Sequence, residues 1–173
     1  YNAPTIYGLI GDGPCRATLS SIHQSSLSTS LDLAKHVCAL SANVGYVPSS
    51  SLEYDLDVML AELATGVAMQ RHAGVLREEY SVVGAIKVQS GKNLLEVENL
   101  IGTGGIFKYG RQPERILRAA RFVPDTPWSL MPRAPRGYVD SEYFLYGIGL
   151  LAEHFPTQAL RIAKKYLRPT QLD

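Results

Sequence analysis

The sequence predicts a helix-rich domain with a few strands, an α/β or α+β lobe, and two patterns carry that reading. Ser50-Ser51-Leu52-Glu53 has capping-box spacing and opens the longest helical pattern of the chain, with Leu56, Met59, Leu60, Leu63 and Val67 recurring along one face. Farther on, the β-prone run 94–101 ends on Gly102-Thr103-Gly104-Gly105 and is followed by a proline-led helical segment.

The elements follow in order. Residues 15–24 form a short helix after the turn Gly11-Asp12-Gly13-Pro14, and the serine-rich stretch 25–30 breaks the chain. Leu31, Ala34, Val37, Cys38 and Ala42 recur at helical spacing, which gives a second helix ending at Gly45 and places Cys38 in the core. The capping-box helix runs to Gly74, which stands where a C-terminal glycine would; His72 there either caps a carbonyl or meets a ligand. Thr65 and Gly66 interrupt that helix, the glycine at a cost of about 1 kcal/mol relative to alanine, so either a neighbouring element packs closely there or the face lines a cleft. Runs 82–88 and 94–101 flank the turn-like Ser90-Gly91-Lys92-Asn93 and read as a hairpin or a short connection. Residues 113–121 form a compact helix with Pro113 at its start, and Pro124, Pro127, Pro132 and Pro135 then punctuate an extended, loop-rich passage around Trp128. Asp140-Ser141-Glu142 opens a helix over 143–154, and Pro156-Thr157 opens the last one, through Leu167. No internal repeat is present.

The glycine turn is the feature that points to a ligand. Without a Cβ, Gly102, Gly104 and Gly105 can take positive φ and let a flat or anionic group approach the main chain. The spacing is neither Gly-x-Gly-x-x-Gly nor a P-loop, because Lys108 comes too late and no hydroxyl follows it. Taken alone, the turn fits a nucleotide contact or a tight strand-to-helix crossing.

Composition excludes several classes. The 173 residues are one domain's length, 46% are hydrophobic, and 17 Lys plus Arg against 16 Asp plus Glu leave no basic field of the size nucleic acid needs. Arg161, Lys164, Lys165 and Arg168 cluster where a helix C-terminus favours cations. Cys15 and Cys38 form neither a Cys-x-x-Cys pair nor a metal spacing, and reduced cytoplasmic thiols fit them. No stretch is apolar and long enough to span a bilayer, so no membrane partner is expected. Serine catalysis lacks its Gly-x-Ser-x-Gly elbow, Cys38 has no histidine on its face, and Asp55, Asp57, Glu62 and Asp140 form no pair that spacing places together. No catalytic residue is therefore assigned. Because the chain begins at Tyr1 without a polar leader, it is expected to be a piece of a longer protein.

Arg71-His72-Ala73-Gly74, Gln89-Ser90-Gly91-Lys92-Asn93-Leu94, Leu100-Ile101-Gly102-Thr103-Gly104-Gly105 and Asp140-Ser141-Glu142-Tyr143 leading into Gly149-Leu150-Leu151-Ala152 together resemble the glutamate mutase activator family called MutL, unrelated to the mismatch-repair protein of that name. The resemblance extends over residues 1–167 and matches the C-terminal part of a longer family. It implies an actin-like, ribonuclease H-like fold, of the superfamily that includes sugar kinases and heat-shock chaperones. One α/β lobe would span residues 1–173, helix-rich with a small sheet, and would belong to a two-lobed ATPase. Gly102, Thr103, Gly104 and Gly105 would then lie against the adenosine and neighbouring phosphate of ATP, and Gly66, Gly147 and Gly149 would pack around the same sheet. The phosphate hairpins and the acidic residues that hold magnesium have no counterpart in this chain and would precede Tyr1, so ATP turnover by this piece alone is not expected.

On that resemblance the whole protein is an ATP-driven, chaperone-like factor that protects or reactivates an adenosylcobalamin-dependent mutase, with the mutase subunits as partners. The rivals are a lobe of a small-molecule kinase, an activating ATPase of the same superfamily, whose iron–sulfur cysteines Cys15 and Cys38 do not supply, and a helical interaction module that binds no nucleotide. Arg71 and Lys108 stand as phosphate or ribose neighbours without an assigned role.

Overall fold

The structure, a computed structural model, describes residues 3–23, 32–43 and 45–172. Helices α1 (Ala3–Ile10), α2 (Asp12–Ile22), α3 (Leu33–Ala42) and α4 (Ser51–His72) come first. Hairpin strands β1 (Val75–Ser81) and β2 (Gly84–Ser90) follow. The chain then forms β3 (Asn99–Gly102), α5 (Gly105–Tyr109), α6 (Pro113–Arg118), β4 (Arg136–Asp140), α7 (Leu145–Ala152), α8 (Pro156–Tyr166) and β5 (Leu167–Thr170).

The main core lies among the first four helices and α6. Cys15, Leu19 and Ile22 of α2, Leu33 of α3, Leu56, Val58 and Met59 of α4, and Ile116 of α6 form one buried cluster. Each large aliphatic side chain withdrawn from water here contributes about 1.5–3 kcal/mol. Of the expected stripe on α4, Leu56 and Met59 are buried, whereas Leu60, Leu63 and Val67 are only partly covered. The capping box forms as the spacing predicts: the Ser50 hydroxyl accepts from the Glu53 N–H at 3.3 Å, and the Glu53 carboxylate accepts from the Ser50 N–H at 2.9 Å. The Tyr46 hydroxyl, then the Ser49 and Ser50 N–H groups, hold the Glu53 carboxyl down at about 2. At Gly66, an added methyl would meet Ala119 at 3.7 Å, an ordinary contact, so α6 packs beside it without requiring glycine.

Several expectations are corrected. Cys38 is exposed while Cys15 is buried, because α3 turns Leu33 and Val37 inward. Gly74 is not a left-handed cap. A Cβ on it would lie 2.5 Å from the Ser90 carbonyl oxygen and 2.7 Å from the Gly91 carbonyl carbon, so it is glycine because the hairpin root crosses the end of α4 backbone to backbone. His72 does not cap its helix; its Nε2 lies 3.5 Å from Lys92 Nζ. The hairpin pairs β1 with β2 from Val75↔Ser90 to Ser81↔Gly84, which puts Val82 and Val83, expected in a strand, at its exposed tip. Of the run 94–101 only residues 99–101 are strand, continuing to Gly102, because the Asn93 side chain accepts from Leu95 N–H at 3.1 Å and turns the chain.

The three-stranded sheet has the order β3-β4-β5, with β3 parallel to β4 and β4 antiparallel to β5. The parallel pair is joined through α5 and α6, as parallel strands require a crossover. Strands β4 and β5 are not legible in the sequence. β4 follows a proline-rich passage, and β5 contains Pro169, which an edge strand tolerates because it need not donate there. Helix α1 is likewise missing from the sequence reading.

Helices α7 and α8 pack on each other, and α8 also reaches β5. No residue of α7 is buried. A Cβ on Gly147 or Gly149 would meet no atom within 4 Å among the described residues, so the expected packing of these two glycines around the sheet is corrected.

Candidate functional site

Two loops leave the C-terminal ends of the parallel strands side by side, since Gly102 pairs with Val139 and each strand then runs toward a helix. In open α/β sheets this is the end at which ligands bind. Asp140 ties the loops together. Its carboxylate accepts from the Thr103 hydroxyl at 2.8 Å and from the Phe144 and Leu145 N–H groups at 3.0 Å each. The residue is 1% exposed. Burial pushes its carboxyl up, but the N–H groups of Leu145 and Phe144 and the Thr103 hydroxyl outweigh that and hold it below the usual carboxylate range. Lys108 Nζ donates to the Glu142 carbonyl at 3.4 Å, a second tie between the same loops. Tyr143, between them, takes φ 58°, a left-handed conformation unusual for a tyrosine. The Ser141 hydroxyl is buried without a hydrogen-bond partner among the described residues.

The four residues of the glycine turn divide by role. A Cβ on Gly102 would lie 2.3 Å from the Phe107 ring, so this glycine is needed for packing beneath that ring. Thr103 is taken up by Asp140. Gly104 takes φ 108°, where a side chain is strained, and a Cβ there would meet nothing within 4 Å among the described residues. Gly105 is equally open but has no left-handed φ. The turn thus presents bare backbone at Gly104 and Gly105, not at Gly102.

Gly105 also forms part of the wall of a cavity of about 680 Å³ between α4 and α5. That volume suits a small ligand. Tyr46, Tyr54 and Tyr109 line it, and among the described residues Asp57 supplies its one carboxyl. Burial, and secondarily the charge of Glu53, push the Asp57 carboxyl up. Asp57 makes no hydrogen bond among the described residues, unlike Asp55, which pairs with His23 at 2.7 Å, and Glu62, which pairs with Arg115. The sequence reading weighed Asp57 only among the acidic residues that spacing does not pair, although Tyr54, Asp57 and Ala61 stand at helical spacing on one face of α4 and could have signalled a lined groove. Lys108 is engaged by Glu142, and Arg71 is not among the lining residues. Among the described residues no group of three or more His, Cys, Asp or Glu is placed to hold a metal, and no helix is long and apolar enough to cross a membrane.

Fold and site together define a mixed helix-and-sheet domain with a candidate small-molecule cleft beside a glycine turn. The MutL protein family model matches residues 13–167, and the chain belongs to that family. It is 42% identical over 125 residues to the protein named Protein MutL of Clostridium tetanomorphum, an alignment covering 72% of this chain and 27% of that relative. The chain therefore matches about a quarter of the relative's length. No solved structure matches it.

Proposed function

We propose that this chain is the nucleotide-binding lobe of an ATP-dependent, chaperone-like factor serving an adenosylcobalamin-dependent mutase of the glutamate mutase type. Membership of the family supports the association with the mutase, whose subunits are the partners. The observation that carries the nucleotide reading is local: Gly105 offers bare backbone on the wall of the 680 Å³ cavity, beside the C-terminal ends of two parallel strands.

Chemically, the tyrosines supply flat apolar walls on which a base can stack, and Gly104 and Gly105 admit the ligand to the main chain. Bound ATP supplies the free energy of its hydrolysis to the whole protein. Asp140 acts only as a positioning residue here, since its oxygens are occupied by Thr103, Phe144 and Leu145. Coupling to a partner requires that nucleotide affinity differ between two states of the factor. The protein is placed in the cytoplasm on this reading.

Calorimetric titration of MgATP into the chain and into Gly105→Val tests it. Valine at Gly105 has free space and no φ penalty in the unliganded fold, so the variant is expected to melt like the parent while binding falls by about tenfold or more. Equal affinity in the two proteins, or no binding to the folded parent chain, contradicts the reading and favours a helical interaction module.

A further inference from the structure

The cavity beside the glycine turn contains a chemical asymmetry. Its walls are largely aromatic and aliphatic, and its one carboxyl, on Asp57, has no hydrogen-bond partner among the described residues. Half-buried and facing the cavity, that carboxyl is available to pair with a ligand. A ligand with a flat, stacking body and a polar edge that a carboxyl can pair with suits both features, and an aminopurine has both.

We propose that Asp57 is the base-reading residue of this cavity and selects between aminopurines by its own protonation. As a neutral acid it has one donor and one acceptor: its hydroxyl donates to adenine N1 while its carbonyl oxygen accepts from the adenine exocyclic amine. As a carboxylate it has two acceptors, which match the N1–H and exocyclic amine of guanine, and adenine N1 then faces a like lone pair. The neutral form accepts either base, since guanine O6 and N1–H offer it an acceptor and a donor as adenine does, whereas the ionised form matches guanine and not adenine. This deepens the nucleotide reading above and rests on it.

The surroundings favour the neutral form more than an exposed aspartate's would. Glu53, one turn back on α4, is ionised and repels a second negative charge. The other groups that face the cavity are Tyr46 from the loop before α4, Tyr54 from α4 itself and Tyr109 from α5. None of them carries a positive charge. Two cations sit over the cavity's tyrosines: Arg111 lies over the Tyr54 ring at 4.1 Å and donates to Ser51 at 3.5 Å, and Lys108 lies over the Tyr109 ring at 5.2 Å. Neither is among the residues lining the cavity.

The test is a competition between ATP and GTP for the chain from about pH 5 to about pH 8. Taking the ratio of the two affinities cancels the titration of the triphosphate, which both share. The ratio of ATP to GTP affinity is expected to be highest at the acid end, where both bases pair, and to fall by about tenfold or more toward the alkaline end, the discrimination of one bidentate pair. Asp57→Asn, whose amide keeps one donor and one acceptor at every pH, is expected to hold the acid-end ratio throughout. A ratio that does not move with pH in the parent chain overturns the assignment without recourse to any variant, as does an unchanged pH profile in folded Asp57→Asn. Binding of both nucleotides that is lost in Gly105→Val but never depends on Asp57 leaves the nucleotide reading standing and overturns this inference alone. Binding of neither nucleotide to the folded chain overturns both.

Discussion

Helices α4 and α7 are both rich in apolar residues, and both begin beside a carboxylate that accepts backbone N–H groups, Glu53 in one case and Asp140 in the other. They are held in different ways. Helix α4 buries Leu56, Val58 and Met59 in the main cluster, so its cap only adds to an anchor that packing already provides. Helix α7 buries nothing, exposes Tyr146 and Leu150, and carries two glycines that face open space. Its attachment is to α8 and, through Asp140, to the glycine turn. One region is fixed by hydrophobic burial and the other by a hydrogen-bonded carboxylate at the edge of the candidate site. The second kind of attachment is the one a ligand or partner can shift, because low local stability is where motion concentrates.

The contrast can be broken from either side. Leu56→Ala removes part of the main cluster and is expected to cost about 2–5 kcal/mol in chemical denaturation, lowering the stability of every element that packs there. Asp140→Ala leaves two N–H groups and the Thr103 hydroxyl without their acceptor, at about 1–3 kcal/mol. Its signature is local: amide hydrogen exchange is expected to quicken in α7 and the glycine turn together while the interior of α4 is unchanged. Exchange that quickens in only one of the two would separate what Asp140 is said to join.

Acid sharpens the comparison. The Asp140 and Glu53 carboxyls are both held below their ordinary values in the folded protein, so their contributions are full above those ordinary values and are lost as pH falls. For Glu53 the loss runs from about 4.5 down to about 2. Helix α7, lacking buried residues, is expected to lose exchange protection in that acid range before the core of α4 does.

The smallest effects have the opposite sign. Gly147→Ala is expected to gain up to about 1 kcal/mol of helix stability, because a methyl there meets nothing within 4 Å among the described residues. Gly66→Ala is expected to gain a similar or smaller amount against Ala119. Thermal melts check both, and a loss in either would mean that the glycine is needed by something outside these contacts.

How much of this is legible in the sequence follows the same division. The long helix was readable because capping box and apolar period agree on it, and the strand end at Gly102 because a β-prone run stops at glycine. Strands β4 and β5 were not, since Tyr138 and Val139 are the only large apolar residues of β4 and pairing with distant partners defines both. Gly102 and Gly104 look alike in the sequence, and only the position of the Phe107 ring separates the packed glycine from the open one. Asp57 and Asp55, two residues apart on α4, differ because His23 reaches one of them while the other lines the cavity. Sequence spacing could have placed them on different faces but could not supply His23.

The most direct measurement is amide hydrogen exchange of the chain with and without saturating MgATP. If the glycine turn and the adjoining cavity bind nucleotide, protection is expected at Gly104–Tyr109 and along α4 from Tyr54 to Ala61, with a smaller change passed through Asp140 to the start of α7. Protection confined to other elements, or no change in a folded chain, would contradict the assignment of this cleft.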